Sequence, residues 1–168
     1  VVPSTAVAKI PKDVPFEIAS LLGCAVVSGY GAIVNTAKVQ VSQSTLILGL
    51  GGVGLSAVMA AKLRGAYPII GVDTNKERLE LGKEIGCDQV MTAEDFNNIK
   101  ITDFNGGFDV IIEASGAIPV IEKCMSLLRR HGICVYVGAA ESTYELKVPH
   151  LELVATGKRL CGCLTGEV

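Results

Sequence analysis

Apolar residues gather into short runs along the chain. Strand-like runs fall at Thr45–Leu50, Pro68–Asp73, Gln89–Thr92, Phe108–Ala114, Ile133–Gly138 and Arg159–Leu164. Several are apolar at successive rather than alternate positions, which predicts strands buried on both faces, as in a parallel sheet. Between them, 3.6-residue spacing predicts helices over Val53–Arg64, Lys76–Ile85 and Ile118–Arg130, with a shorter one at Leu151–Ala155. The connection AEDFNNIKITDFNGG is the least regular. Strand and helix in alternation imply parallel pairing through right-handed crossovers. Six strands then suggest an α/β, doubly wound sheet in the order 3-2-1-4-5-6.

Upstream of the alternation, Pro3, Pro11 and Pro15 mark a lead-in strand and loop. PFEIASLLG predicts a short helix with Pro15 near its start and Gly23 near its end. VVSGYGAIVNTAKV predicts a second helix, with Ile33 and Ala37 on one face, and QVSQS is a polar link. The whole, 1–168, is expected to be one domain, with 1–22 as the lead-in from a preceding domain. The chain opens on Val1 and closes on CGCLTGEV with no final helix, as expected of a fragment of a longer protein.

Composition narrows the class. With 168 residues the chain can bury a sizeable core. Hydrophobic residues make up 49% and aromatics 5%, so that core is built from Val, Ile, Leu and Ala. A net charge of −2 supplies no basic field, so no nucleic-acid partner is expected. The longest uncharged stretch, Val39 to Ala61, carries Gln, Ser and several glycines, and no membrane partner is expected from it. No secretory leader pattern opens the chain, and a cytoplasmic location is expected. The six cysteines, at 24, 87, 124, 134, 161 and 163, form no CxxC pair and suit a reducing compartment. Cys161 and Cys163 would share one face of a strand as core residues. NKERLELGKE is a solvated helix face with alternating charge. His131 and His150 fall in or beside loops and suit solvated or capping roles.

The chemistry-bearing stretch is LILGLGGVGLSAVMAAKLRGAYPIIGVD. Gly49, Gly51 and Gly54 stand in G-x-G-x-x-G register, after a strand and before a helix, the context that a dinucleotide-binding Rossmann turn requires. Gly49 permits the tight turn, Gly51 lets a pyrophosphate approach bare backbone, and Gly54 lets helix and strand pack closely. The helix N-terminus offers free N–H groups and the positive end of its dipole to the phosphates. Asp73 follows at the end of the next strand, where a carboxylate accepts from the adenosine ribose hydroxyls and repels a 2′-phosphate, which argues for NAD over NADP. A glycine-rich turn without a ligand and a methyltransferase are the alternatives, but the latter usually has an acid where this chain has Leu48.

LLGCAVVSGYGAIVNTAKV, LGLGGVGLSAVMAAKLRGA and IIGVDTNKERLELGKEIGCD together resemble the coenzyme domain of zinc-dependent medium-chain alcohol dehydrogenases, over roughly residues 14 to 166. ATGKRLCGCLTGE is reminiscent of the aryl-alcohol branch. The resemblance implies a pyrophosphate turn at Gly49, Gly51, Gly52 and Val53, with Val53 and Ser28 beside the nicotinamide ring. It implies Asp73 on the ribose, Thr74 in the adenine slot, Arg78 beside the ribose and Ser115 at the adenosine side. Val137, Gly138 and Ala139 would reach the nicotinamide carboxamide, with backbone of Cys163 and Thr165 completing that contact.

Cys24 matches the third protein ligand of the family's catalytic zinc, a role the resemblance implies and a core cysteine would rival. Three protein ligands leave a fourth position open for an alcohol oxygen, which zinc would acidify before hydride leaves for NAD. The family's other ligands and its proton relay lie upstream, so the segment is expected to bind NAD but to be inactive alone, with no catalytic residue of its own. The implied partners are a small alcohol or aldehyde and a second copy of the chain, joined as a homodimer through the sixth, edge strand. A zinc-free quinone oxidoreductase would usually prefer NADPH and lack Cys24, and a non-enzymatic NAD(H) sensor would be expected to carry a basic helix-turn-helix, which is absent.

Overall fold

The strands are β1 (Thr45–Leu48), β2 (Ile69–Asp73), β3 (Gln89–Thr92), β4 (Phe108–Glu113), β5 (Leu128–Tyr136) and β6 (Arg159–Gly162). In the computed structural model, which describes residues 2–4 and 7–167, they form one parallel sheet in the order β3-β2-β1-β4-β5-β6. The expected order 3-2-1-4-5-6 is therefore the observed one. Val1, Thr5 and Ala6 of the lead-in, and Val168, lie outside the described residues.

Among the described residues, six helices accompany the sheet: α1 (Phe16–Thr36), α2 (Gly52–Leu63), α3 (Lys76–Ile85), α4 (Ala93–Asn98), α5 (Ile118–Leu127) and α6 (His150–Thr156). Side chains alternate across the buried strands. In β1, Ile47 joins the core of Ile33, Val39, Ala57, Val58 and Ala61 beneath α1 and α2. Leu46 and Leu48 point the other way, into a core with Phe96, Phe108, Ile111, Cys124 and Leu127 beneath α4 and α5. Both faces are covered, which is why the central strands read as unbroken apolar runs.

Three expectations need correction. The segment 16–36 is one continuous helix rather than two, with wider π turns at Leu22–Val26 and Ala32–Thr36. Gly23 does not end a helix. The glycines within α1 serve close packing instead: a Cβ on Gly29 would lie 2.2 Å from the Val53 carbonyl oxygen. By length and composition α1 is also apolar enough to cross a membrane, a test that core helices of globular domains pass as well. Its C-terminal half is buried on α2, while Phe16, Ile18, Leu21 and Leu22 are exposed.

Second, α5 stops at Leu127, and Leu128–Arg130 belong to β5. Pairing overrides local helix propensity there, because Leu128 stands opposite Phe108 while the Arg129 guanidinium grips both Asp109 carboxylate oxygens at 2.8 Å. Third, Cys163 lies just past β6, so only Cys161 of that pair is a strand residue. The irregular third connection resolves into α4, closed at its N-terminus by a reciprocal Thr92–Asp95 capping box, and a 3₁₀ turn at Ile101–Phe104.

Candidate functional site

A crevice of about 310 Å³ opens at the carboxyl ends of β1, β2 and β4, where the strand order reverses. Gly49, Gly51, Asp73, Thr74, Arg78 and Ser115, all singled out from the sequence, line it together. Its apolar walls come from Leu48, Val72, Ala93, Ala114, Ala117 and Val120, which carried no signal separable from core.

The glycines divide their work as physical size dictates. Gly49 turns the chain with φ +91°, and a Cβ on Gly54 would lie 1.7 Å from the Gly49 carbonyl oxygen. Fold geometry alone thus demands glycine at 54. At Gly51 the backbone is extended and a Cβ would meet no protein atom within 4 Å, so its bare face looks onto open space. The N-terminus of α2 behind it has no side-chain cap, leaving its first N–H groups available. Gly52 and Val53 begin that helix.

Asp73 is 7% exposed. Its Oδ2 accepts the Leu50 N–H at 2.7 Å, and its Oδ1 accepts the Asn75 N–H at 2.8 Å. Each oxygen retains a lone pair for a further donor. Arg78 reaches to 3.8 Å from Oδ2 and remains half exposed. Asn75 caps α3 by accepting the Arg78 N–H, so the same short turn sets both charged groups.

Glu113 is the residue that the sequence reading missed. It ends β4 with no exposure at all. Its Oε1 accepts the Ser115 N–H, the Ser115 hydroxyl and the Gly116 N–H at 2.6–2.9 Å, fixing the loop that bears Ser115. Its backbone oxygen accepts the Val137 and Gly138 N–H groups. A Cβ on Gly138 would lie 2.7 Å from Oε2, and one on Gly116 would lie 2.3 Å from the Ala139 oxygen. Glu113 thus serves both loops, its carboxylate fixing the Ser115 loop and its backbone oxygen the Val137–Gly138 turn. An acid closing the apolar run FDVIIE was the available signal. Beneath it, the Cys124 thiol is pushed up by its hydrogen bond with Cys134 and by burial, and burial raises the Tyr136 phenol.

The remaining predicted residues gather on the α1 side. Ser28 is buried in α1, and the segment after β6 docks on the same helix. There Asn35 donates its side-chain N–H to the Gly166 oxygen at 2.8 Å, and a Cβ on Gly31 would strike that oxygen. This brings the Cys163–Thr165 segment to the helix that carries Ser28. Cys24 is exposed within the first π turn, and its neighbour Ala25 would lie 3.1 Å from a Cβ on Gly52, so the thiol-bearing turn abuts the start of α2. Among the described residues no three His, Cys, Asp or Glu side chains are grouped to hold a metal. His131 lies in β5 and His150 starts α6, both exposed.

Residues 52–167 match the family model described as zinc-binding dehydrogenase. The chain belongs to that family. This zinc-binding dehydrogenase chain has the fold of a medium-chain alcohol dehydrogenase coenzyme domain. It is 34% identical to alcohol dehydrogenase 6 of Peromyscus maniculatus, covering 99% of this chain and 45% of the relative. It superposes on the benzyl alcohol dehydrogenase of Acinetobacter calcoaceticus with a TM-score of 0.86 and 33% identity, over 94% of this chain and 44% of that one. A structure from Sinorhizobium meliloti 1021, described as a zinc-binding dehydrogenase bound to NADP, shares the fold with a TM-score of 0.77 at 21% identity, over 85% and 44% of the two chains. The dehydrogenase chain therefore spans less than half the length of these relatives.

Proposed function

We propose that this chain is the NAD-binding part of a zinc-dependent alcohol dehydrogenase, in which hydride passes between an alcohol or aldehyde and NAD. The observation that carries the reading is the pairing of Gly51, glycine where no protein atom requires it, with the buried Asp73 carboxylate across the same crevice. A diphosphate against the Gly51 backbone and the α2 N-terminus would leave a ribose facing Asp73. Thr74 and Arg78 would flank the adenosine, and Ser115 would border it from β4. Ser28, Val53, the 137–139 loop and the 163–165 segment would hold the nicotinamide end.

Asp73 favours NAD, because a 2′-phosphate would stand against a carboxylate already buried and hydrogen-bonded in place. The NADP carried by the Sinorhizobium neighbour belongs to a protein too distant to set the preference here.

Cys24 is a suitable single zinc ligand: an exposed thiol beside the start of α2, soft enough for zinc. Zinc, when bound, would polarise the alcohol oxygen. One thiolate cannot hold it, so the further ligands and the proton relay come from the half of the relatives' length not represented here. The isolated chain then binds NAD without turning over alcohol. The exposed apolar face of Phe16, Ile18, Leu21 and Leu22 is the surface that the missing half would cover. The free edge of β6 would pair with a second copy to make a homodimer, in a cytoplasmic setting.

Titrating the chain with NADH and NADPH by nucleotide fluorescence tests the reading. NADH should bind at least about tenfold tighter, a difference of about 1.4 kcal/mol. Equal affinities would remove the assignment.

A further inference from the structure

At the opposite, amino ends of the strands lies a second cavity of about 410 Å³, within the usual size range for small-ligand pockets. Lys38, Arg130, His131 and Arg159 line it, with Thr36 and Asp109. In a chain of net charge −2, this is a concentration of positive charge that the dinucleotide site does not use.

The backbone builds the cleft. Between β4 and β5 the register jumps from Phe108↔Leu128 to Val110↔Ile133, so β5 carries extra residues there as a bulge. Arg130 and His131 sit in that bulge, and His131 has φ +63°. Across from it, Lys38 closes α1 in the left-handed region with φ +53°. Arg159 enters from the first position of β6.

The charges are not cancelled locally. The Asp109 carboxylate is occupied by the Arg129 guanidinium and by the Ser44 N–H and hydroxyl. Among the described residues no carboxylate lies within 4.0 Å of a Lys38, Arg130 or Arg159 nitrogen. Three exposed cations that converge on one cleft with no carboxylate beside them form an environment that suits an oxyanion.

We propose that this cleft binds the phosphate groups of a small anion, at a site separate from the dinucleotide crevice. Lys38, Arg130 and Arg159 supply the charge and the donors to the phosphate oxygens.

Isothermal titration of the chain with inorganic pyrophosphate, and separately with ATP, tests it. Saturable binding is expected, weakening as salt is raised. The double substitution Arg130→Glu, Arg159→Glu should lower pyrophosphate affinity by about tenfold or more, because attraction becomes repulsion. It leaves the residues of the dinucleotide crevice in place, so the loss is assigned to the cleft whether or not a dinucleotide binds. Equal effects on both ligands identify phosphate alone as the recognised group, and a larger effect on ATP identifies a nucleotide. Lys38→Gly separates binding from folding: glycine prefers the left-handed turn, so the melting temperature should hold or rise while affinity falls by about threefold or more. Unchanged affinity in both variants overturns the proposal. So does equally tight, cleft-dependent binding of a glutamate-rich peptide, which would make the cleft a docking surface for an acidic segment.

Discussion

The carboxylate of Asp73 accepts the backbone N–H of Leu50 at 2.7 Å, tying the end of β2 to the turn that follows β1. The acid that would read the ribose therefore also braces the glycine turn that would hold the diphosphate. Replacing Asp73 with glycine and Thr74 with arginine should move the cofactor preference toward NADPH. It should also destabilise the fold by about 2–4 kcal/mol, because the Leu50 and Asn75 N–H groups lose charged acceptors. Urea unfolding of the variant, with and without each cofactor, measures both effects. An unchanged preference would mean that the carboxylate does not face the ribose.

Gly51 and Gly54 should part company under the same substitution. Gly51→Ala adds a methyl group to open space, so unfolding stability should stay within about 0.5 kcal/mol while NADH affinity drops sharply. Gly54→Ala places the methyl group 1.7 Å from the Gly49 oxygen, so the turn must rebuild and the domain should lose several kcal/mol or fail to fold. Thermal melts and cofactor titrations of the pair distinguish a glycine kept for a ligand from one kept for packing. If Gly51→Ala bound NADH as tightly as the parent, the open face would have no ligand-binding purpose.

Much of this was legible beforehand because the informative signals are local. Apolar runs give strands, and the glycine spacing gives the first crossover. Asp73 stands out because it ends a buried strand. What escaped is non-local. Leu128–Arg130 look helical until Phe108 and Asp109 arrive from β4 to pair with them. Gly23 looks like a helix stop because its sequence does not show that α1 packs on α2 and continues through widened turns. Glu113 is a single acid with no partner at any telling spacing, and only the folded loops reveal its donors.

Glu113→Gln keeps an acceptor for the Ser115 and Gly116 N–H groups and should be tolerated within about 1–2 kcal/mol. Glu113→Ala leaves those donors unsatisfied and opens a void, at a cost of about 3–5 kcal/mol. Because Ser115 lines the crevice, the alanine variant should also weaken NADH binding even where it remains folded. Unfolding curves set beside NADH titrations decide this, and normal affinity in a destabilised Glu113→Ala would confine the residue to a structural part.

The thiols should sort by environment. Cys24 is exposed and should be alkylated first by iodoacetamide, with the buried Cys87, Cys124 and Cys134 lagging until the chain opens. Mass mapping of a time course reads the order, and labelling of Cys134 before Cys24 would refute it. Burial, reinforced by the neighbouring Asp88 charge, raises the Cys87 thiol from 9.0 to about 12. Between those values the unfolded chain releases a proton that the folded chain keeps. Stability present in full below pH 9.0 should therefore decline toward pH 12, and Cys87→Ala should make that decline shallower.

The central claim is that one crevice holds a dinucleotide between the bare Gly51 backbone and the Asp73 carboxylate. A crystal structure of the chain grown with NAD+ tests it most directly. The account predicts the diphosphate against the N–H groups at the start of α2 and an adenosine ribose hydroxyl within hydrogen-bond distance of an Asp73 oxygen. A ligand bound elsewhere, or bound there with its ribose turned away from Asp73, would contradict it.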